Sequence, residues 1–531
     1  MDSVKKIRDK LQHSWLPFFT RFGKPTEVQE KTIPKVLDNK NVVVASPTAT
    51  GKTEAIVAPL AEKFKTEHWD GLAILYIVPT RALANDTLAR IEGSLSDMEI
   101  TTALKHGDKP YLSTKNLPNL LITTPESLDS LICRRPNIFK NLQSVVLDEI
   151  HILDNTYRGD QLRILLRRLK EIATNKYFSV HLLSATIVSP FQIATRYIDQ
   201  LEKLEVVKIG KERPIKYHII NSLENLFHLS KKEGWKKLLW FCNYRESVEK
   251  LSLVLSNMWH PYPVVAHHGS LSRKIREEAE KVMKENKVAV CIATSTLEVG
   301  IDIGDIDVIV LAEIPWSISS LLQRIGRGNR RKGFINVVVI IETDEEKNLI
   351  EAMFNVASSG NLPMENYEPD LSVLVQQILS YLYQHRNGVS TDSLLRILGP
   401  LCEFNSDVEL ILNHLRKEGL IEYSARRWFA SSRLNDMGEK GRIHSNIPDE
   451  NKYNVIDINS GKEIGTIAGV FDQIFALAGR TWQVVSVDNN NINVKLFTGI
   501  ATSALFKRHR DKGAFHFLLP RELRTNYYER E

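Results

Sequence analysis

Short apolar runs alternate with helical patterns between about residues 40 and 200. Apolar runs of this length, alternating with helices, predict a parallel sheet covered by helices on both faces. The rhythm stops at a polar stretch near residues 208–214, and we expect a hinge near residues 205–215. The five runs are Val42–Ala45, Leu72–Val78, Leu120–Thr123, Val145–Leu147 and Val180–Leu183.

A second set of apolar runs follows the polar stretch, with the same helical patterns between them. The sequence therefore predicts two consecutive α/β domains, which we expect to span residues 1–207 and 208–365. The second set consists of Lys237–Phe241, Val264–His267, Val288–Ile292, Val308–Leu311 and Asn336–Ile341.

The pattern changes after about residue 365, where three segments have apolar residues at helical spacing. Leu420–Tyr423 and Arg426–Ala430 then predict a hairpin. Three short helices and a hairpin favour a winged-helix module over residues 366–440, with a generic helical connector as the alternative. The helical segments are Leu371–Tyr383, Ser390–Leu398 and Val408–Glu418.

The last part of the chain has a β pattern. Ile492, Val494 and Leu496 alternate with polar residues, and the preceding Asp488–Asn491 segment is typical of a turn. We expect a small barrel or curved sheet within residues 441–531.

Composition narrows the function classes only a little. The 531 residues carry 70 Lys+Arg against 64 Asp+Glu, and a net charge of +6 permits a nucleic-acid partner without requiring one. The four cysteines lie too far apart for a CxxC pair, which favours a reducing, cytoplasmic location and no zinc ribbon. No apolar run approaches the roughly 18 residues of a membrane-spanning helix, so we expect no membrane association.

Ser46–Thr53 follows the first predicted strand and opens a helix, which is the context of a phosphate-binding loop. We expect Lys52 to reach the nucleotide phosphates and the Thr53 hydroxyl to bind Mg²⁺. The generic loop begins with Gly where this chain has Ser46, and a chance Gly-Lys-Thr at a strand–helix junction is the alternative. The predicted nucleotide-binding residues of this loop are Thr48, Thr50, Gly51, Lys52 and Thr53.

Asp148-Glu149-Ile150-His151 ends another apolar strand. Carboxylates at the carboxyl end of a parallel strand lie where α/β sheets bind ligands. We expect Asp148 to hold Mg²⁺ and Glu149 to orient and deprotonate the attacking water. Two acids that close a strand are otherwise common surface residues.

Gln323–Arg330 contains arginines that a helix would place on one face, because Arg327 and Arg330 are three positions apart. Two guanidinium groups on one face can neutralise charge that develops on a γ-phosphate. A solvated basic face or a patch that contacts a phosphate backbone is the alternative.

Together with Ser184-Ala185-Thr186, these three motifs resemble the ordered signature of superfamily 2 helicases. Phe22–Thr26 with Gln29 resembles the adenine-reading Q motif. Two segments resemble the strand-gripping motifs of the first domain, and a third resembles the motif that links nucleotide and nucleic acid in the second. These segments are Pro79–Ala84, Thr123–Leu128 and Ala293–Ser295 with Gly300–Asp302. The resemblance implies tandem RecA-like domains, catalytic roles for Glu149, Gln323, Arg327 and Arg330, and nucleotide contacts from Gln29 and Asp302.

Within superfamily 2 the chain resembles the large-helicase-related (Lhr) group, whose core is usually longer. The resemblance implies an ATP-dependent 3′-to-5′ translocase that loads on single-stranded DNA and unwinds tailed DNA duplexes and RNA–DNA hybrids, in DNA repair or defence. The residues that carry it are Asp148–His151, His267–Arg273, Thr296–Asp302, His444–Pro448 and Leu477–Trp482.

A translocase must hold the phosphate–sugar backbone without reading sequence. The matched motifs imply that Arg81, Thr124 and Thr294 donate hydrogen bonds to it, although each could instead cap a helix or turn. Trp428, beside Arg426 and Arg427, combines charge with an aromatic face that would stack on a base, or it belongs to the core of the hairpin.

Two further features carry no predicted role. The basic run Lys507–Lys512 is typical of a solvated face. His267 and His268 have no third ligand at suitable spacing, so we expect no metal other than Mg²⁺.

Two rival functions remain open. One is an RNA helicase of the same superfamily that acts locally without translocation. The other is a nucleic-acid remodelling subunit that uses ATP as a conformational switch within a larger assembly. The sequence predicts no particular protein partner.

Overall fold

The computed structural model divides into two compact units. The first comprises Met1–Gly210, Met364–Asp449 and Asp511–Glu531, and the second comprises Lys211–Pro363 and Glu450–Arg510. The residues that the structure describes are 2–20, 24–46, 50–109, 112, 116–184, 190–209, 214–298, 303–328, 333–359, 367–401, 405–448, 452–468, 473–488, 490–497, 502–503 and 512–524.

The first unit contains a seven-stranded sheet with the order β3-β4-β2-β5-β6-β1-β7, in which every pair of neighbours is parallel. Four of its five inner strands are buried from end to end because helices cover both faces. The strands are β1 (Asn41–Ala45), β2 (Ile74–Ile77), β3 (Thr102–Lys105), β4 (Leu120–Thr123), β5 (Ser144–Leu147), β6 (Ser179–Ser184) and β7 (Leu204–Lys208).

Several helices of this sheet begin at a threonine whose hydroxyl accepts a hydrogen bond from a backbone N–H of the first turn. The helices are α1 (Asp2–Lys10), α2 (Trp15–Phe19), α3 (Glu27–Leu37), α4 (Lys52–Thr66), α5 (Arg81–Ser96), α6 (Pro125–Arg134), α7 (Tyr157–Ile172) and α8 (Pro190–Tyr197). Short 3₁₀ turns lie at Pro136–Phe139, Ile150–Ile152 and Leu201–Lys203.

The prediction of a hinge at residues 205–215 is wrong for residues 205–208. Residues 205–208 belong to β7, which pairs in parallel with β1, so that Val206 lies opposite Val43. Val207 is buried, and the apolar pair Val206-Val207 adds an edge strand to the first sheet. Residues 210–213 lie outside the described part of the chain.

The second unit contains a six-stranded parallel sheet with the order β10-β11-β9-β12-β13-β8. All five apolar runs predicted for this region form strands, and β8 is the one strand of this sheet, within the described residues, that the sequence pattern missed. The strands are β8 (Ile215–Ile220), β9 (Lys237–Phe241), β10 (Val264–His267), β11 (Ala289–Ala293), β12 (Val308–Leu311) and β13 (Ile335–Ile340). The helices are α9 (Leu223–Glu233), α10 (Arg245–Met258), α11 (Arg273–Glu285), α12 (Ile318–Ile325) and α13 (Asp344–Ser359), with a 3₁₀ turn at Ser295–Leu297.

The predicted three helices and hairpin follow, and they belong to the first unit. Helix α14 is buried along almost its whole length, and its apolar residues share one core with Ile164 of α7. The elements are α14 (Ser372–Gln384), α15 (Thr391–Leu398), α16 (Asn405–Lys417), the antiparallel hairpin β14 (Ile421–Ser424) and β15 (Arg427–Ala430), and α17 (Ser432–Glu439).

The C-terminal strands form a curled six-stranded sheet with the order β17-β16-β20-β19-β18-β21, and it belongs to the second unit. Ile492 and Val494, two of the predicted alternating residues, lie in a core shared with Trp240 of β9, whereas Leu496 is exposed. The strands are β16 (Lys452–Asp457), β17 (Glu463–Ala468), β18 (Ile474–Leu477), β19 (Arg480–Asp488), β20 (Asn491–Leu496) and β21 (Thr502–Ser503). The 3₁₀ turns Ala514–Leu518 and Arg521–Leu523 follow in the first unit.

A buried carboxylate anchors the curled sheet to α10. Glu249 is fully buried and accepts hydrogen bonds from the backbone N–H groups of Ala478 (2.8 Å) and Gly479 (2.7 Å). His268 Nε2 lies 2.7 Å from the same carboxylate. Among the described helices, none has the length and apolar content needed to cross a bilayer.

Candidate functional site

The predicted first-unit site residues gather at one edge of the first sheet. Because its strands are parallel, their carboxyl ends lie along the same edge, where α/β sheets bind ligands. Ser46 follows β1, Thr80 follows β2, Thr124 follows β4 and Asp148 follows β5.

The phosphate-loop prediction gains support from the start of α4. Gly51 is the N-cap and has φ +86°, which a residue with a side chain rarely adopts. Lys52 is buried, and its ammonium donates to the Ser46 carbonyl oxygen at 2.8 Å. Backbone N–H groups and the positive end of the helix dipole at this point suit phosphate oxygens. Thr48 lies outside the described residues.

Gln29 of the predicted Q motif forms a hydrogen bond with this loop. Its side-chain amide donates to the Gly51 carbonyl at 3.3 Å, and Thr26 Oγ1 donates to the Thr50 carbonyl at 2.7 Å. A Cβ atom at Gly51 would overlap the Gln29 amide. The structure therefore brings Gln29 into contact with the nucleotide loop. The motif residues Phe22 and Gly23 lie outside the described chain.

Asp148 and Thr53 both contact the hydroxyl group of Tyr76. Tyr76 Oη donates to Asp148 Oδ2 at 2.7 Å and also interacts with the Thr53 hydroxyl. Burial, and then the neighbouring charge of Glu149, raise the pKa of Asp148 above its usual range. Carboxylate and hydroxyl oxygens are ligands that Mg²⁺ prefers, and a divalent cation would stabilise this buried carboxylate. The residues present therefore fit the predicted metal.

The sequence pattern gave no role to two residues that contact Asp148 and Thr53. Tyr76 is fully buried within an apolar strand, so only its hydroxyl hinted at a polar role. Arg90 of α5 donates to Thr53 Oγ1 at 3.3 Å and is paired with Asp86 at 2.8 Å. Its distance of 37 positions from Thr53 gave no signal in the sequence.

Glu149 has a strained backbone. Its φ of +44° is left-handed, which costs a non-glycine residue about 1–3 kcal/mol and is typical of functional sites. Its carboxylate is buried, 3.9 Å from the Lys52 ammonium and 3.4 Å from His151 Nδ1. His151 in turn lies 2.7 Å from the Ser184 hydroxyl at the end of β6. This contact joins two of the predicted motifs, although Ala185 and Thr186 lie outside the described residues.

A cleft of about 580 Å³ opens at the same edge of the first sheet. Arg81 and Thr124, the predicted strand contacts of this unit, both line it. The Arg81 side chain is 59% exposed and forms an ion pair with Asp108 at 2.5 Å. Residues 439–441 and 444–445, at the end of helix α17 and just after it, line the cleft too, although the sequence gave them no strand role.

The charge of this cleft is predominantly positive. Two acids line it against five Lys and Arg residues. Glu126 is neutralised by two hydrogen bonds from Arg158, at 2.5 and 3.1 Å, and Glu439 accepts a hydrogen bond from Tyr383 at 3.1 Å. Burial alone would raise the pKa of Glu126, but the Arg158 charge holds it below its usual range. Lys105 also lines the cleft, and burial together with nearby arginines lowers its pKa. A groove with this charge suits a phosphate backbone.

The assignment of Trp428 to base stacking is wrong, because the structure shows the alternative. Trp428 is only 7% exposed and belongs to the core shared with α14. Its indole N–H donates to Thr391 Oγ1 at 3.0 Å, and its ring packs on Tyr423 of the opposite strand. The ring has no face available to a base.

The prediction that Arg327 of the second unit lies on a helix is wrong. Helix α12 ends at Ile325, so Gln323 is helical but Arg327 lies in a turn between Gly326 and Gly328. Glycine weakens a helix, and this pair ends it. Arg327 is buried and donates to the Glu298 carbonyl.

The remaining predicted residues of the second unit are only partly described. Arg330 and Asp302 lie outside the described residues. Thr294 directly follows β11, is buried, and its backbone N–H donates to the His267 carbonyl at 3.3 Å.

Asp129, Cys133 and His444 are within ligand spacing of one another, the one such group among the described residues. However, the buried Arg168 lies 3.6 Å from Asp129, and its guanidinium is 3.2 Å from Cys133 Sγ. A cation would therefore meet a fixed positive charge. Asp129 also accepts from Gln377 at 2.5 Å and contacts His444 Nδ1 at 3.0 Å, so the cluster ties α6 to α14 and to the segment after α17.

Comparisons with known proteins agree with this architecture. A DEAD/DEAH box helicase family model matches residues 26–193, and a helicase conserved C-terminal domain model matches residues 218–332. The ATP-dependent helicase Lhr-Core of Methanocaldococcus jannaschii is 29% identical over 93% of this chain and 64% of its own length.

Two solved structures show the same fold. The Mycobacterium smegmatis helicase Lhr bound to single-stranded DNA and AMP-PNP has a TM-score of 0.68 at 23% identity, covering 82% of this chain and 62% of that one. Helicase MrfA bound to DNA has a TM-score of 0.72 at 20% identity, covering 92% and 69%.

This chain thus spans less than two thirds of its Lhr-Core relatives. The ordered motifs, the two tandem parallel-sheet RecA-like domains and the matching models show that the chain belongs to the superfamily 2 helicases, with a DEAD/DEAH box domain and a helicase C-terminal domain, and is homologous to the Lhr-Core helicases.

Proposed function

We propose that this protein is an ATP-dependent helicase or translocase that acts on single-stranded DNA. The observation that carries the proposal is that two features lie at the same edge of the first sheet. Lys52 and Glu149, the residues proposed to act on the nucleotide, lie there, and so does the positively charged cleft lined by Arg81 and Thr124. A similar fold binds single-stranded DNA and AMP-PNP in the mycobacterial Lhr helicase, which supports DNA as the substrate.

In the proposed reaction, Lys52 binds the charge of the terminal phosphates, and Glu149 orients the attacking water and accepts its proton. Bound Mg²⁺, held by Thr53 and Asp148, would supply positive charge to the phosphate oxygens. Tyr76 keeps the Asp148 carboxylate oriented through its 2.7 Å hydrogen bond. We keep Gln323, Arg327 and Arg330 as proposed catalytic residues that stabilise charge on the γ-phosphate, with Gln29 and Asp302 as proposed nucleotide contacts.

We propose that Arg81, Thr124 and Thr294 donate hydrogen bonds to the backbone of the strand. Contacts to phosphate and sugar hold a strand without selecting its bases, as a translocase requires. The proposed direction is 3′ to 5′, the proposed substrates are tailed DNA duplexes and RNA–DNA hybrids, and the proposed role is in DNA repair or defence. Three helices and a hairpin support a winged helix at residues 366–440, and the predicted domain limits at 207, 365 and 440 stay predictions.

The test compares ATP hydrolysis by the full chain with and without single-stranded DNA. We expect Lys52→Ala and Glu149→Gln each to reduce strand-stimulated hydrolysis at least about 100-fold, because Lys52 binds the terminal phosphates and Glu149 activates the attacking water. Lys140→Ala and Glu202→Gln, at exposed positions of the same unit, serve as matched controls. Near-normal hydrolysis by a folded Lys52→Ala protein would exclude this function.

Substrate choice and direction need a second assay, which measures strand displacement from 3′-tailed and 5′-tailed DNA and RNA–DNA hybrids. We expect displacement of 3′-tailed substrates only. Stronger stimulation of hydrolysis by RNA than by DNA would favour the RNA helicase. Strand-stimulated hydrolysis without displacement would favour the ATP-switched remodelling subunit.

A further inference from the structure

An aromatic pair, the exposed Trp316 and the half-buried Tyr244, lies at the carboxyl edge of the second sheet. Tyr244 follows β9 and Trp316 follows β12, and these two strands are parallel neighbours. The ring centroids are 5.8 Å apart and the ring planes meet at 80°. Trp316 is 71% exposed, which leaves a large apolar surface in water. An indole ring kept at the surface in this way is available to stack on a planar ligand.

The two loops that carry the rings are fixed to each other. The Glu313 carboxylate accepts hydrogen bonds from the Asn243 backbone N–H, at 2.6 Å, and from the Ser247 hydroxyl. The Asn243 side-chain amide donates to the Ile314 carbonyl at 2.8 Å. The two loops that carry the rings are therefore held together before a ligand arrives, which reduces the entropy lost on binding.

A cation lies beside the aromatic pair. Arg245 directly follows Tyr244 and donates to the Ser270 hydroxyl at 2.9 Å. The other end of its guanidinium borders Gly269, which the Thr296 methyl group borders as well. Thr296 is two positions after Thr294, the proposed strand contact of this unit. Aromatic rings next to a guanidinium match the alternating bases and phosphates of a single strand.

We propose that Trp316 and Tyr244 form a stacking platform for a nucleobase of the bound single strand, with Arg245 placed for the adjacent phosphate. This inference rests on the proposed function and names how the second unit holds the strand. The adenine of ATP is the other source of a nucleobase. The strand is favoured because Trp316 lies just before the amino end of α12, whereas Arg327, the proposed phosphate-binding residue, lies beyond its carboxyl end.

The test measures binding of a fluorescent single-stranded DNA to the full chain by anisotropy. We expect Trp316→Ala to weaken binding about 5- to 150-fold, the range seen when one stacked base loses its aromatic partner. Trp316→Phe restores most of the loss because it keeps an aromatic face. Tyr262→Ala is the matched control, because Tyr262 is 50% exposed but precedes β10 at the opposite edge of the sheet, and it leaves binding unchanged.

A strand with several consecutive abasic sites separates stacking from a general effect on the fold. We expect wild-type protein to lose affinity for the abasic strand, and Trp316→Ala to bind normal and abasic strands almost equally. The platform is excluded if Trp316→Ala binds normal DNA like wild type, or if its defect is equally large on the abasic strand.

A second experiment measures the binding of AMP-PNP, and we expect Trp316→Ala to keep the wild-type affinity for it. A loss of AMP-PNP affinity with unchanged DNA affinity would assign the platform to adenine and overturn the proposal. Failure of the proposed function is separate, since it is read from hydrolysis by Lys52→Ala, whereas the platform is read from binding by Trp316 variants.

Discussion

The substitution Asp129→Asn tests the buried charge cluster that holds α6 against α14. Asp129 is fully buried between the positive groups of Arg168 and His444. Helix α6 begins just after Thr124, so the cluster also fixes one wall of the proposed strand cleft. Asparagine keeps the size of the side chain but removes its charge. Two buried cations are then left without their counterion.

The structure gives the size of the expected effect. Removing one partner of a buried ion pair costs about 3–5 kcal/mol of the free energy of unfolding. Burial alone would lower the pKa of His444, but hydrogen bonds and charge from Asp129 and Cys133 raise it to about 9. The raised pKa contributes about 3 kcal/mol, fully present below pH 6.5 and lost as the pH rises through about 9. Burial alone would raise the pKa of Asp129, but Arg168 and His444 hold it below its usual range, so the Asp129 contribution is lost only in acid.

The assay is hydrogen–deuterium exchange across a urea series at pH 6.5 and pH 9.5, read by mass spectrometry on peptides from α14. We expect wild type to lose about 3 kcal/mol between the two pH values and Asp129→Asn to lose much less. Asp199→Asn is the control, because Asp199 is an exposed carboxylate paired with Lys170 in the same unit, and its loss should cost less than about 1 kcal/mol.

Two results would refute this reasoning. One is a cost for Asp129→Asn no larger than that for Asp199→Asn. The other is an unchanged difference between pH 6.5 and pH 9.5 in Asp129→Asn, because the titrating interaction would then lie elsewhere.

Three further predictions concern the candidate site. Gly51→Ala, at φ +86° and against the Gln29 amide, should weaken binding of a fluorescent ATP analogue at least about 10-fold, and unchanged affinity would contradict the described loop. Arg81→Ala should weaken DNA binding and reduce the slope of log Kd against log salt by about 1, whereas an unchanged slope would mean that Arg81 does not contact phosphate. Tyr76→Phe should raise the Mg²⁺ concentration for half-maximal hydrolysis about 10-fold, and a fall in rate at saturating Mg²⁺ alone would point to a different role.

The strands and the nucleotide motifs could be predicted from the sequence because their signals are local. A parallel strand covered on both faces must be apolar along its length, so runs such as Lys237–Phe241 and Val308–Leu311 match observed strands residue for residue. The placement of Lys52 and Asp148 at one sheet edge follows from a strand that ends just before each motif. Strands β7 and β8 were missed because most of their residues are exposed or half-buried, so polar and apolar residues are mixed along them.

Only the tertiary structure could decide which residues far apart in the chain meet. The order of the strands brings Tyr76 to Asp148, and helix packing brings Arg90 to Thr53. Neither arrangement leaves a periodic signal in the sequence. The side chain of Trp428 is buried by α14 and α15, although its neighbours Arg426 and Arg427 suggested an exposed face. The pairing of Tyr244 with Trp316 likewise depends on β9 and β12 being neighbours. Local patterns report whether a residue is buried, but its partners depend on how the strands are ordered.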